Sequence, residues 1–289
     1  MDILIRFFNA AWMVGMPLVL GVLLARTLRT GWRPFLIGAA TFLGAQVLHI
    51  PINAWVLSPG FERLGLVQPL EGPKLVLAAG ALGLSAGLFE EGARYLVLRR
   101  WLRDVRTWRQ AVMFGAGHGG LEAAVLGVLA LVALFQGLAY RDADLSGLVT
   151  PDRLGAAQAQ LRAYWAAPAS LVALGSAERA IALCIQISLA VIVLQAFTRG
   201  NPAWLGVAIV WHAFVDALAV AAVGIWGPYW TEAALAVLAL VSLGVLFSLR
   251  QPDVPADQVQ APPLPDAQLE ARQSTRPRPE AVEDSRFIG

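Results

Sequence analysis

Glu90, Glu91 and Arg94 lie in GLFEEGARYLVLRR, at the end of an apolar run that begins near Leu75. His118 and Glu122 fall in FGAGHGGLEAAVLG, Glu178 and Arg179 in GSAERAIAL, and His212 and Asp216 in VWHAFVDALAV. The segment HIPIN adds His49 and Asn53. All of them interrupt apolar segments, where an ionisable group is expensive and calls for a functional reason. Glu90/Arg94, His118/Glu122, His212/Asp216 and His49/Asn53 are all i,i+4 pairs, which stack one turn apart on a single helix face. Such faces must turn toward a polar chamber and away from lipid.

Two adjacent carboxylates in a poorly solvated pocket resist double ionisation, and Arg94 can keep one of them charged. The result is a poised general base beside a structural carboxylate. His118 can help polarise a water, and His212 with Asp216 can orient hydrogen bonds toward an oxyanion. Two histidines, a glutamate and a further carboxylate are the parts of a peptide-hydrolysing site. His118, His212 and Glu90 are equally acceptable as zinc ligands. The glycines around His118 admit two readings, close approach of a substrate strand or close helix packing.

The elements that position these groups follow from composition. The chain has 289 residues, 57% hydrophobic and 15% charged, with mean hydropathy +0.62. Soluble domains carry about a quarter charged residues, so an all-α, polytopic integral membrane protein is expected. Apolar runs long enough to cross a bilayer predict seven spans near 5–25, 34–57, 75–98, 110–136, 176–198, 203–223 and 231–249. An eighth, weaker candidate runs from Tyr164 to Leu174. The run from Phe7 to Ala25 ends in Arg26 without a small-residue cleavage pattern, so it reads as a first span. Arg26, Arg29 and Arg33, and then RRWLRDVRTWR, place the first and third connections in the cytoplasm. An outside N-terminus and a cytoplasmic C-terminus follow. Glu90 precedes Arg99 by nine residues and His118 follows Arg109 by nine, so both lie ~13 Å below that surface at 1.5 Å per residue. Residues 1–250 form the membrane domain. The proline-rich polar segment 251–289 reads as a disordered tail. Net charge is +2 and implies no nucleic-acid partner. Cys184, the single cysteine, excludes a disulfide within the chain.

The ordered motifs EExxR, FxxxH running into HxxxE, and HxxxD resemble the YhfC-like intramembrane proteases. These are grouped with the PrsW and CAAX-prenyl-endopeptidase-like (CPBP) membrane proteases. The resemblance covers roughly residues 1–250. It implies a multi-helix glutamic-type intramembrane hydrolase, historically described as a metalloprotease. Carried over by position, Glu90, Glu91, His118, His212 and Asp216 form the catalytic set, supported by Arg94, Glu122, Glu178 and Arg179. Two positions depart from the pattern. The CAAX-type relatives usually read EExxxR, so here Arg94 stands one residue closer, which leaves both Glu90 and Glu91 open as the base, Glu90 favoured. YhfC-like proteins tend to carry a histidine where this chain has Gln186, which lessens the expected part of span five.

No cofactor is favoured, and zinc is the alternative. The expected substrate is a membrane protein or lipidated peptide in the bilayer, with oligomeric state open, and the expected location is a bacterial cytoplasmic membrane. A proton- or ion-coupled transporter would use the same buried cluster. Against it stands the lack of an internal repeat. HExxH, GxGD and a GxSG serine are all missing.

Overall fold

The structure, a computed structural model, describes residues 2–250. The tail expected over 251–289 lies outside the described residues. Nine α-helices occur among them: α1 (Asp2–Leu28), α2 (Arg33–Ile52), α3 (Ser58–Arg63), α4 (Gly72–Arg100), α5 (Trp108–Tyr140), α6 (Pro151–Ala166), α7 (Ala169–Thr198), α8 (Ala203–Trp226) and α9 (Pro228–Ser248). A π-helical turn, Asn53–Leu57, joins α2 to α3 into one continuous rod. Seven of these units are long and apolar enough to cross a membrane, in agreement with the seven expected spans.

Local chemistry sets the ends. Thr107 caps α5 in a reciprocal box, accepting from the Gln110 backbone N–H while Gln110 Oε1 accepts from the Thr107 N–H. Proline stands in the first turn of α2, α4, α6 and α9, where its missing N–H costs no helical bond. Gly227 (φ 78°) makes the tight α8–α9 turn. Between connections, Arg33 Nη1 donates to Asp104 Oδ2 at 2.5 Å. That hydrogen bond holds the exposed Asp104 carboxyl below the ordinary aspartate range. The bridge therefore forms at neutral pH and is lost only as pH falls through this lowered value.

The eighth candidate, Tyr164–Leu174, is not a span. Tyr164 to Ala166 end α6, and the residues from Ala169 already belong to α7. Ala167 is extended ahead of Pro168, as the residue before a proline prefers. Arg6 of α1 closes this break: its Nη2 donates to the Tyr164 carbonyl at 2.6 Å, and its guanidinium lies 4.2 Å above the Tyr164 ring.

Helix α7 is the axis of the bundle, with 72% of its apolar window buried. Helices α1 and α2 pack on α5, α5 and α9 pack on α7, and α4 lies along α8. Leu36, Val47, Leu240 and Phe247 stay exposed and form part of a lipid-facing surface. Ser242 of α9 ties three helices, accepting at its carbonyl from Ser188 Oγ (2.9 Å) and at Oγ from Trp211 Nε1 (3.0 Å).

The glycines around His118 serve helix packing. A Cβ on Gly115 would lie 2.7 Å from Ile187 Cα, one on Gly119 2.7 Å from Gln186 Cβ, and one on Gly117 would overlap the Phe35 carbonyl. Backbones of α2, α5 and α7 therefore touch at the level of His118. Gly117→Ala is expected to lower thermal stability in detergent by at least ~1–3 kcal/mol through overpacking. Gly15→Ala, whose Cβ meets nothing within 4 Å, serves as the neutral control in the same melt.

Candidate functional site

Two glycines one turn apart, Gly83 and Gly87, let α4 lie directly on α8. A Cβ on Gly87 would stand 2.7 Å from the Ile209 carbonyl oxygen, the close approach that small-xxx-small spacing provides. The next two turns of α4 carry Glu90, Glu91 and Arg94, which are thereby delivered to the α5, α7 and α8 interface. Exposure falls to 0% for Glu91, Arg94 and His118, 3% for His212 and 6% for Glu90. The packed helices leave these groups to find their partners within the bundle.

The two carboxylates are sorted between the two histidines. Glu90 Oε2 meets His118 Nε2 at 3.0 Å, while Glu91 Oε1 meets His212 Nδ1 at 2.6 Å. Arg94 bonds Glu91 Oε1 through one terminal nitrogen. Through the other it bonds Gln186 Oε1 and faces Glu90 Oε2 at 3.8 Å. The guanidinium thus sits directly on Glu91 and more distant from Glu90. Phe42 packs edge-on against the His118 ring at 5.5 Å.

A second layer lies beside the first. Arg179 Nη1 donates to Glu122 Oε1 at 2.8 Å and Nη2 bonds its neighbour Glu178. Gln186 Nε2 donates to Glu122 Oε2 at 2.8 Å and stands 3.5 Å from Glu90 Oε2. Asp216 Oδ2 faces His212 Nε2 at 3.5 Å. Between α5, α7 and α8 lies a cavity of about 80 Å³ bordered by Glu122, Arg179, Gln186, His212 and Asp216. At ~30 Å³ per water it has room for a few waters.

All nine residues of the expected catalytic and supporting set lie in or beside this cluster. Glu178 stands furthest out, bonded to Arg179. Two central residues escaped the sequence reading. Gln186, given little weight as a departure from the family pattern, connects Arg94, Glu122 and Glu90, so span five is bonded into the cluster. Gln46 of α2 donates its Nε2 to Glu90 Oε1 at 3.1 Å. Its signal was an amide three residues before His49 in AQVLHIPIN, within an otherwise apolar run.

Fold and cluster define a multi-pass membrane protein with a buried Glu/His/Arg centre inside the helix bundle. The family model described as "YhfC intramembrane metalloprotease" matches residues 12–239. The uncharacterized membrane protein YhfC of Bacillus subtilis (strain 168) is 33% identical over 213 residues, which is 71% of this chain and 79% of that protein. The chain belongs to the YhfC intramembrane metalloprotease family. No solved structure matches it.

The family description implies a metal, and a catalytic zinc takes three protein ligands. Among the described residues, no three His, Cys, Asp or Glu side chains converge so as to hold a metal ion. His118 and His212 address different carboxylates, and the Arg94 cation faces both carboxylates. The residues as placed do not fit a three-ligand centre.

Proposed function

We propose that this protein is an intramembrane peptidase in which Glu90 activates the attacking water. The observation that carries the reading is the division of labour between the paired carboxylates. Glu91 is fully enclosed, with Arg94 and His212 both on Oε1, which suits a charge that orients its neighbours. Glu90 is buried too but keeps 6% exposure against 0% for Glu91, and it is set between His118 and Gln186, the latter at the cavity wall.

In this reading a water from the cavity loses a proton to Glu90, and its oxygen attacks the peptide carbonyl carbon. His212 donates from Nδ1 to Glu91, and its Nε2 edge borders the cavity. A hydrogen on Nε2 meets the oxyanion as charge develops there, with Asp216 orienting the ring. Glu90 then returns its proton to the leaving nitrogen as the C–N bond breaks. The enzyme ends the cycle in its starting protonation state. Glu122, Arg179 and Gln186 hold the opposite wall. The proposed substrate is a membrane protein or lipidated peptide, because the centre lies within the spans. Placing the arginine-rich connections in the cytoplasm puts the N-terminus outside and the site nearer the inner face.

The test is cleavage of a panel of membrane-protein and prenyl-peptide substrates by the purified protein. Glu90→Gln, Glu91→Gln, His118→Ala and His212→Ala are compared with the parent. Loss in Glu90→Gln and His118→Ala is expected. Cleavage undiminished in all four removes the reading.

A further inference from the structure

Gln46, which holds Glu90, is itself the end of a longer hydrogen-bonded series with one consistent direction. A carboxylate only accepts hydrogen bonds, so the Gln46 atom facing Glu90 Oε1 at 3.1 Å is its amide nitrogen. Gln46 Oε1 is left facing His49 Nδ1 at 3.3 Å. An amide oxygen cannot donate, so His49 Nδ1 carries the hydrogen. On the other edge of the ring, His49 Nε2 faces Asn53 Nδ2 at 2.9 Å. An amide nitrogen cannot accept, so Nε2 is the acceptor. Two amides, on opposite edges of the imidazole, thus require the same neutral tautomer. Asn53 Oδ1 in turn accepts from Ser85 Oγ of α4 at 2.8 Å.

The surroundings fix each member. His49 stacks on Phe89, the residue before Glu90, with ring centroids 5.6 Å apart and planes 25° from parallel. Asn53 opens the π-helical turn that follows Pro51, a local change of register of the kind that re-aims a side chain. Its backbone carbonyl is met by Ser58 Oγ at 3.0 Å. Ser85 is buried on α4.

We propose that Gln46, His49, Asn53 and Ser85 are positioning residues that hold Glu90 Oε1 through the Gln46 amide and so fix the orientation in which the carboxylate takes a proton from water. The bond broken is a water O–H, the bond formed is an O–H on the Glu90 carboxyl, and the electron pair stays on the hydroxide that attacks. This assignment rests on the peptidase reading above. The series itself does not, because the tautomer of His49 is a property of the resting protein.

The chain contains three histidines, so nitrogen-15 NMR of the full-length, histidine-labelled protein in nanodiscs reads each ring separately. His49→Gln identifies its signals. A neutral His49 with hydrogen on Nδ1 is expected in the parent. Asn53→Leu, which removes the donor to Nε2, is expected to shift that signal. Gln46→Leu and Asn53→Leu are expected to lower kcat by roughly 10- to 100-fold, as losses of such orienting partners do, with KM changed less than about twofold. Hydrogen on Nε2, or on both ring nitrogens, overturns the series. Unchanged kcat in both variants overturns its effect on Glu90. A parent protein that cleaves nothing removes the peptidase reading and the effect on Glu90, whatever tautomer His49 shows.

Discussion

Glu90→Gln is expected to reduce peptide hydrolysis by on the order of 10²–10⁴-fold in kcat, the usual contribution of a general base, with little change in stability. The amide matches the carboxylate in shape. Its oxygen can still accept from Gln46, and its nitrogen can donate to a His118 that changes tautomer. What it cannot do is take a proton from water. Glu91→Gln should behave differently. Glu91 is fully buried and both Arg94 and His212 rest on Oε1, so the neutral amide leaves Arg94 only the more distant Glu90 as its counter-charge. Loss of stability should accompany loss of activity there. Kinetics and detergent melting curves on the two variants, run side by side, separate the base from its electrostatic neighbour.

Arg94→Leu carries the largest expected structural penalty. Arg94 is 0% exposed and is the cation facing both Glu90 and Glu91. Removing one partner of a buried ion pair costs about 3–5 kcal/mol because the remaining charge keeps no counter-ion. Here two adjacent carboxylates would be left, with Gln186 losing its donor as well. Arg94→Lys should recover only part of the loss, since a point ammonium cannot serve Glu91 and Gln186 through two separate nitrogens. The double change Arg94→Leu with Glu91→Leu should be less destabilising than the sum of the two singles. One of the two stranded charges is then gone, and residues in contact are not additive. Melting temperatures of the three variants and their parent give this cycle. A fully additive result would mean that the guanidinium does not act through Glu91.

Hydropathy made the spans legible because lipid demands long apolar helices, and the structure has them at the expected places. It misjudged the region before α7. Glu178 and Arg179 dilute the apolar signal near the start of that helix, so the expected span began at 176 although the helix begins at Ala169. The apolar residues of 169–174 were consequently grouped with the end of α6. Nothing in hydropathy marks the two extended residues, Ala167 and Pro168, that separate the two. In the site, charged residues were visible because an ionisable group in a span is costly. Gln46 and Gln186 were much less so, since a neutral amide incurs a smaller penalty and draws no notice. The pairing of Glu90 with His118 and of Glu91 with His212 was not legible at all. Spacing places residues on one face of a helix, but which face meets which depends on the backbone contacts at Gly83, Gly87, Gly115 and Gly117. Those glycines were seen in part, as the run around His118, with their role left between substrate approach and packing. Close contact of α2, α5 and α7 accounts for them.

The central claim is that Glu90 prepares the water for attack. The most direct measurement is cleavage of a membrane-protein substrate by purified protein in liposomes after exhaustive chelation, with metal content determined on the same sample and Glu90→Gln alongside. The account predicts that cleavage persists without bound metal and disappears in Glu90→Gln. Stoichiometric zinc that leaves together with activity, or full cleavage by Glu90→Gln, would contradict it.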